Sequence, residues 1–158
     1  MSMNKRQVGI LSAGFIAVFA AGLMVWAASM PPESNWSKPC NGIEVRLSSG
    51  RAYYRAGDGI RIYVKFRNVG DGERTIKLGS LYGCVDMSHN GKGFAEAIGC
   101  YPRGIDELRL LPGETSRKLY LCGCVTAFKG AGIYEFRGDM SDEHGWNWGS
   151  EKLVVHVW

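Results

Sequence analysis

The spacing of apolar residues changes once along this chain. From Val8 to Ala28 runs VGILSAGFIAVFAAGLMVWAA, 21 residues without a charge, and beyond Gly42 apolar and polar positions alternate. An uncharged run of that length makes a helix of about 31 Å, the thickness of a bilayer's hydrocarbon core. A transmembrane helix over residues 8–29 is therefore expected, with residues 1–7 ahead of it. The alternating part predicts strands. In GIEVRL, Ile43, Val45 and Leu47 share one face while Glu44 and Arg46 take the other. In IRIYVKFRNV the same rule puts Ile60, Ile62, Val64 and Phe66 inward and Arg61, Tyr63, Lys65 and Arg67 outward. Further strands are expected near residues 74–79, 82–88, 95–100, 107–111, 116–125, 132–139 and 151–157. Turns are expected at AGDG (56–59), VGDGE (69–73), HNGKG (89–93) and LPGE (111–114), where glycine and Asn-Gly or Asp-Gly pairs close hairpins at little steric cost. With 22 glycines in 158 residues and no 3.6-residue period after residue 30, the prediction is an all-β antiparallel sandwich over residues 40–158, with a closed barrel as the structural alternative.

Charge decides which way the helix points. Lys5 and Arg6 precede it, and no basic residue follows until Lys38, so the positive-inside bias leaves the N-terminus cytoplasmic and exports residues 30–158. The expected location is the cell inner membrane, single-pass, with the C-terminal part periplasmic or extracellular. A secretory signal has the same order of parts, and Ala27, Ala28 and Ser29 offer a cleavage site, but its apolar region is only about 7–15 residues long. A retained signal anchor is the reading. Gly9, Ala13, Ala17 and Ala21 recur every four residues and form a stripe of small side chains along which another membrane helix could pack. Residues 30–39, ending in PPESNWSKP, are rich in proline and polar residues and read as an extended tether. Without Lys5 and Arg6 the basic residues number 17 against 15 acidic ones, and they do not cluster in sequence, so nucleic acid is not an expected partner.

The succession IEVRLSSGRAYYRAGDGIRIYVKFRNVGDGERTI, LRLLPGE and FKGAGIYEFRG resembles bacterial extracytoplasmic immunoglobulin-like domains, and is similar also to the intracellular proteinase inhibitor family. The shared pattern is carried by Tyr54, Gly57 and Asp58, Arg67 and Asn68, Leu111 to Glu114, and Ala131 to Tyr134. It spans nearly all of residues 43–138. The resemblance implies an immunoglobulin-like sandwich in which Tyr134 buries its ring while its hydroxyl reaches backbone, as in a tyrosine corner. For function it implies little, since the architecture hosts adhesion, inhibition and scaffolding alike. The membrane anchor and the cysteines depart from the inhibitor family.

Cysteines stand at positions 40, 84, 100, 122 and 124. In an exported domain they are first of all disulfide candidates, with one left over. Cys84 and Cys100 lie symmetrically about Lys92 and would sit opposite each other in a regular hairpin. Cys122 and Cys124 share a strand face about 6.7 Å apart, too far to pair with one another without a bulge at Gly123. Each therefore seeks a partner among Cys84, Cys100 and Cys40. A zinc site of Cys84, Cys100, Cys122 and Cys124 is the sharper alternative, but the Cys-x-x-Cys knuckles that mark such sites are missing. Met87 with His89, and Met140 with His144, raise a copper reading; gap-filling methionine and surface histidine are the commoner explanation, and His156 is expected to face outward. No cofactor or metal is assigned.

No nucleophile elbow or Cys-His frame occurs, and Asp106 with Glu107, like Asp142 with Glu143, reads as solvated loop charge, so the chain is not expected to be an enzyme. Arg137-Gly138-Asp139 matches an integrin-binding tripeptide at the level of chance. In DEHGWNWGS, Trp146 and Trp148 lie on one side of an extended segment near the strand ending in Trp158, and these three tryptophans are the partner-binding candidates, with plain cross-strand packing as the alternative. The expected function is a membrane-anchored protein-binding or structural module, an accessory subunit that meets other subunits of a membrane complex through its helix and its exported domain. Protease inhibition and extracytoplasmic copper or zinc binding are the alternatives.

Overall fold

The computed structural model describes residues 16–26, 29–78, 82–100, 107–124, 128–141 and 147–158, with 82–84, 93–100 and 122–124 described through their backbone. The chain divides into a first unit, residues 1–30, and a second, residues 31–158. In the first, residues 16–26 are helical (α1). The apolar side chains of α1, among them Ile16, Phe19, Leu23, Val25 and Trp26, are exposed all round the helix. No helix among the described residues is long and apolar enough to cross a membrane. Of the expected span, residues 8–15 and 27–28 lie outside the described residues, and with them Gly9 and Ala13 of the small-residue stripe, whereas Ala17 and Ala21 fall on α1.

Ten strands are described in the second unit: β1 (Ile43–Ser49), β2 (Ile60–Asn68), β3 (Arg74–Lys77), β4 (Tyr82–His89), β5 (Lys92–Cys100), β6 (Glu107–Leu110), β7 (Leu119–Cys124), β8 (Gly132–Ser141), β9 (Asn147–Gly149) and β10 (Leu153–Val157). All pair antiparallel, in three sheets: β1-β2-β7, then β10-β8-β4-β5 with β9 also on β8, and the pair β3-β6. The all-β expectation holds. Alternation is what builds these sheets: Val45 registers with Phe66 and Leu47 with Val64 on the buried side, while Glu44 registers with Arg67 and Arg46 with Lys65 on the other. The inward residues of β1 and β2 join Leu119, Tyr134, Phe136, Met140, Trp148, Leu153 and Val155 in one buried cluster drawn from both larger sheets. Its apolar burial is the main stabilising term of the unit.

Polar detail sets the register. The β4–β5 turn has Asn90 at φ 50° and Gly91 at φ 75° between the paired residues His89 and Lys92, a two-residue turn whose hand suits the twist of a hairpin. Between Val85 and Met87, however, β4 advances two residues while β5 advances four, from Ile98 to Phe94. The turn is centred between Asn90 and Gly91 and not on Lys92, so the two cysteines are not the directly opposed pair expected; the bulge shifts the register by two and leaves Cys84 opposite Gly99 and Cys100 opposite Gly83, one position apart.

Residues 32–37, expected as a tether, lie along the outer edge of β1. The Ser34 amide donates to the Leu47 carbonyl and the Leu47 amide returns a bond to Ser34 Oγ; Ser37 makes the same two bonds with Val45. Ser116 does so with Phe66 of β2, and Ser150 with Gly138 of β8. In each case one serine satisfies both backbone groups of one strand residue. Because a hydroxyl replaces a carbonyl, the segment before β1 covers a sheet edge without itself reading as a strand.

Candidate functional site

The three candidate tryptophans part company. Trp148 is buried at 2 % exposure, meets Phe66 edge-on at 6.4 Å, and donates its indole N–H to the Cys40 carbonyl at 3.2 Å. It packs the interior and presents nothing to a partner. Trp146 lies outside the described residues. Trp158 is 73 % exposed. Its backbone is nonetheless fixed: its amide donates to the Tyr54 carbonyl and its carbonyl accepts from Ala56, both at 3.1 Å. Those bonds bring Trp158 beside a loop about a hundred residues away in sequence, so that Trp158, Tyr53, Arg51 and Arg55 line one cleft.

A second aromatic and charged arrangement, not foreseen in the sequence, occupies the outer face of β1-β2-β7. Trp36 lies between two guanidiniums, with Arg46 4.7 Å and Arg67 4.4 Å from its ring centre. Arg67 is also ion-paired to Glu44, and Arg46 to Glu33 at 3.0 Å; Lys118 and Lys65 reach the other oxygen of Glu33 at 3.2 and 3.4 Å. Partial burial pushes the Glu33 carboxyl up, but Lys118 and Lys65 together outweigh it and hold the group below the usual carboxylate range. The carboxylates of this face are taken up by its own cations, so its effect is to fasten residues 32–37 to the sheet. A carboxyl whose folded pKa is depressed stabilises above its unfolded pKa, and that stability is lost as pH falls through the folded value. Acidification below pH 4.5, the ordinary value for this group, is accordingly expected to loosen residues 32–37. Hydrogen exchange at the Val45 and Leu47 amides, compared at pH 6 and pH 3 after correction for intrinsic rates, measures it; Glu33→Gln should remove most of the difference.

The metal candidates are dispersed. Met140 is buried in the core and Met87 packs partly against it. His89 lies flat on Tyr134, ring centres 4.2 Å apart and 9° from parallel, while His144 is outside the described residues. His156 faces outward on β10. Among the described residues no three His, Cys, Asp or Glu side chains gather as a metal site would require. Cys40 is half-buried and free. Cys122 and Cys124 register with Ile62 and Ile60 of β2, and β7, which carries them, lies against β5, which ends in Cys100. Arg137-Gly138-Asp139 falls within β8, where Cys84, Val85 and Asp86 pair with it on one side, so it is not offered on a loop.

Neither a family model nor any curated protein matches the chain.

The residues that carry the immunoglobulin-like resemblance all act on the scaffold. Tyr54 is buried and its hydroxyl accepts from the Arg51 amide at 3.1 Å. Asp58 caps its turn by accepting from the Arg55 amide, Glu114 by accepting from Leu111, both at 2.9 Å. Tyr134 buries its ring and donates its hydroxyl to the Gly130 carbonyl at 3.1 Å, the corner expected for it. Gly132 sits at φ 144°, where a side chain is strained, and a Cβ there would stand 2.6 Å from His89 Nε2, so that His89 and Asn90 would have to shift.

Proposed function

We propose that this chain is a membrane-anchored, outward-facing module, an immunoglobulin-like β-sandwich that binds or braces another protein as an accessory subunit of a larger membrane complex. The observation that carries the reading is α1, whose large apolar side chains are exposed on every side: Val18 at 74 %, Val25 at 71 % and Trp26 at 60 %. Exposed apolar surface of this kind calls for lipid or another helix. Two antiparallel sheets sharing one core favour the sandwich over a barrel. Gentle detergent extraction followed by native mass spectrometry is the test: a co-purifying subunit is expected, and a bare monomer would count against the subunit role.

Export carries its own prediction. In an oxidising compartment Cys84, Cys100, Cys122 and Cys124 pair, the contact of β5 with β7 favouring a cross-link from Cys100 to the Cys122–Cys124 strand, and Cys40 keeps its thiol. Alkylation of the protein unfolded without reductant should then modify one cysteine per chain. Five modified cysteines would remove the oxidised, exported reading.

A further inference from the structure

Arg51, Arg55 and Arg61 are exposed, and among the described residues no carboxylate forms an ion pair with their guanidiniums. They are gathered. Arg51 and Arg55 line a cleft of about 460 Å³ together with Tyr53, Tyr54, Asp58 and Trp158. Arg51 and Tyr54 also line a smaller hollow of about 80 Å³ that reaches Arg61 and Tyr63. Cleft and hollow, which share Arg51 and Tyr54 and together are taken as one groove, are lined by three cations and by aromatic rings, of which Trp158 and Tyr53 are 73 % and 52 % exposed. Asp58 supplies the one carboxylate side chain of the lining, and it accepts from the Arg55 amide.

The walls are rigid. Tyr54 is pinned through its hydroxyl by the Arg51 amide and through its carbonyl by Trp158. Gly57, at φ 94°, donates to the Phe128 carbonyl, and Phe128 donates back to Asp58. Tyr54 meets Phe128 edge-on at 5.3 Å, and Phe128 meets Tyr134 at 4.5 Å, so the floor of the cleft is continuous with the core. A site ordered in advance loses little freedom on binding. Exposed tryptophan, tyrosine and arginine on a fixed frame are also the residue types that dominate binding energy between proteins.

We propose that this groove binds an acidic, extended segment of a partner protein, whose carboxylates pair with Arg51, Arg55 and Arg61 and whose apolar anchor residue lies against Trp158 and Tyr53. Charge complementarity selects that occupant: three arginines against one carboxylate side chain, Asp58, leave the lining in cationic excess, and guanidiniums are matched by carboxylates in fork geometry. The inference rests on the protein-binding reading above and names the surface and the partner chemistry it would use.

The experiment is calorimetric titration of the full chain in mild detergent with acetyl-Glu-Glu-Phe-Glu-Glu-amide, against the same peptide with every Glu replaced by Gln, and against an oligogalacturonate of similar charge. The acidic peptide should bind about tenfold or more tightly than its Gln counterpart, and less tightly as salt is raised. Arg51→Gln with Arg55→Gln should weaken it about tenfold. Trp158→Ala should weaken both peptides. Arg109→Gln with Lys152→Gln, exposed cations outside the groove, should leave binding unchanged. No binding, equal binding of the Gln peptide, indifference to the Arg51 and Arg55 changes, or tighter binding of the oligogalacturonate overturns the proposal. Should a subunit co-purify equally with the wild type and the Arg51→Gln, Arg55→Gln variant, the groove assignment fails while the subunit role stands. Peptide binding with no co-purifying subunit separates them the other way.

Discussion

Alanine at position 148 is expected to lower the unfolding free energy by about 3–5 kcal/mol, the usual cost of truncating a buried large aromatic. Trp148 sits in β9, a strand of three residues held by β8, and fills space between Phe66 of one sheet and Met140, its register partner, of the other. Most of the loss comes from the cavity. The Cys40 carbonyl that accepts the indole N–H also accepts from the Ile43 amide, so it is not left bare. Phenylalanine, which keeps an aromatic ring but no donor, should cost about 1–2 kcal/mol. Chemical denaturation of the full chain in detergent, followed by circular dichroism, gives the values. If Trp148→Ala left stability unchanged and abolished partner binding instead, Trp148 would be a recognition residue and its burial would have been misread.

Most strands were legible because one side of each faces the core. Alternation in residues 43–47 and 60–68 gives the inward set residue by residue, and Ile60, Ile62, Val64 and Phe66 are all buried to 2 % exposure or less. β9 was missed for a physical reason: Asn147–Gly149 is too short to show a period, and its one apolar residue looked like a loop anchor. The docking of residues 32–37 was hidden differently. Their pairing with β1 runs through Ser34 and Ser37 hydroxyls, so the segment shows no apolar alternation and its prolines suggested free chain. The β5 bulge is also silent in sequence, because an Asn-Gly turn fixes where a hairpin folds and not how far its register stays regular.

Surface chemistry was less legible than the core, since it depends on which distant residues the sheets bring together. Trp36 meets Arg46 and Arg67 only because the edge segment runs along β1 while β2 pairs on the other side. Arg51 and Arg55 meet Trp158 only through the parallel bridge between Tyr54 and Val157. Local sequence signals neither event. What the sequence did single out, the glycines, tyrosines and Asx residues of the immunoglobulin-like pattern, builds turns and corners, which is why that pattern speaks for fold and says little about function.

Asn68 concentrates that scaffold role, and its replacement by alanine is expected to cost about 2–4 kcal/mol, the sum of several buried hydrogen bonds and the groups they leave unpaired. The residue is fully buried at the end of β2. Its Nδ2 donates to the Gly72 carbonyl at 2.8 Å and the Leu110 carbonyl at 2.9 Å, and its Oδ1 accepts from the Gly70 amide at 2.9 Å. Its own amide and carbonyl bond Glu114 and Gly113. One side chain thus closes the turn after β2, ties it to the end of β6 and, through the backbone, seats the 111–114 turn. Aspartate tests the donors separately, since it keeps the acceptor for Gly70 but turns a second oxygen toward two carbonyls. At pH 7 Asn68→Asp should therefore be less stable than Asn68→Ala. Burial and the two carbonyls raise the folded pKa of that carboxyl, so the excess penalty is absent below its unfolded value of about 3.9 and grows as pH rises to the folded value. Denaturation midpoints of both variants at pH 3.5 and pH 7 decide it: a pH-independent gap between aspartate and alanine would mean that the Nδ2 bonds to Gly72 and Leu110 do not hold these turns together.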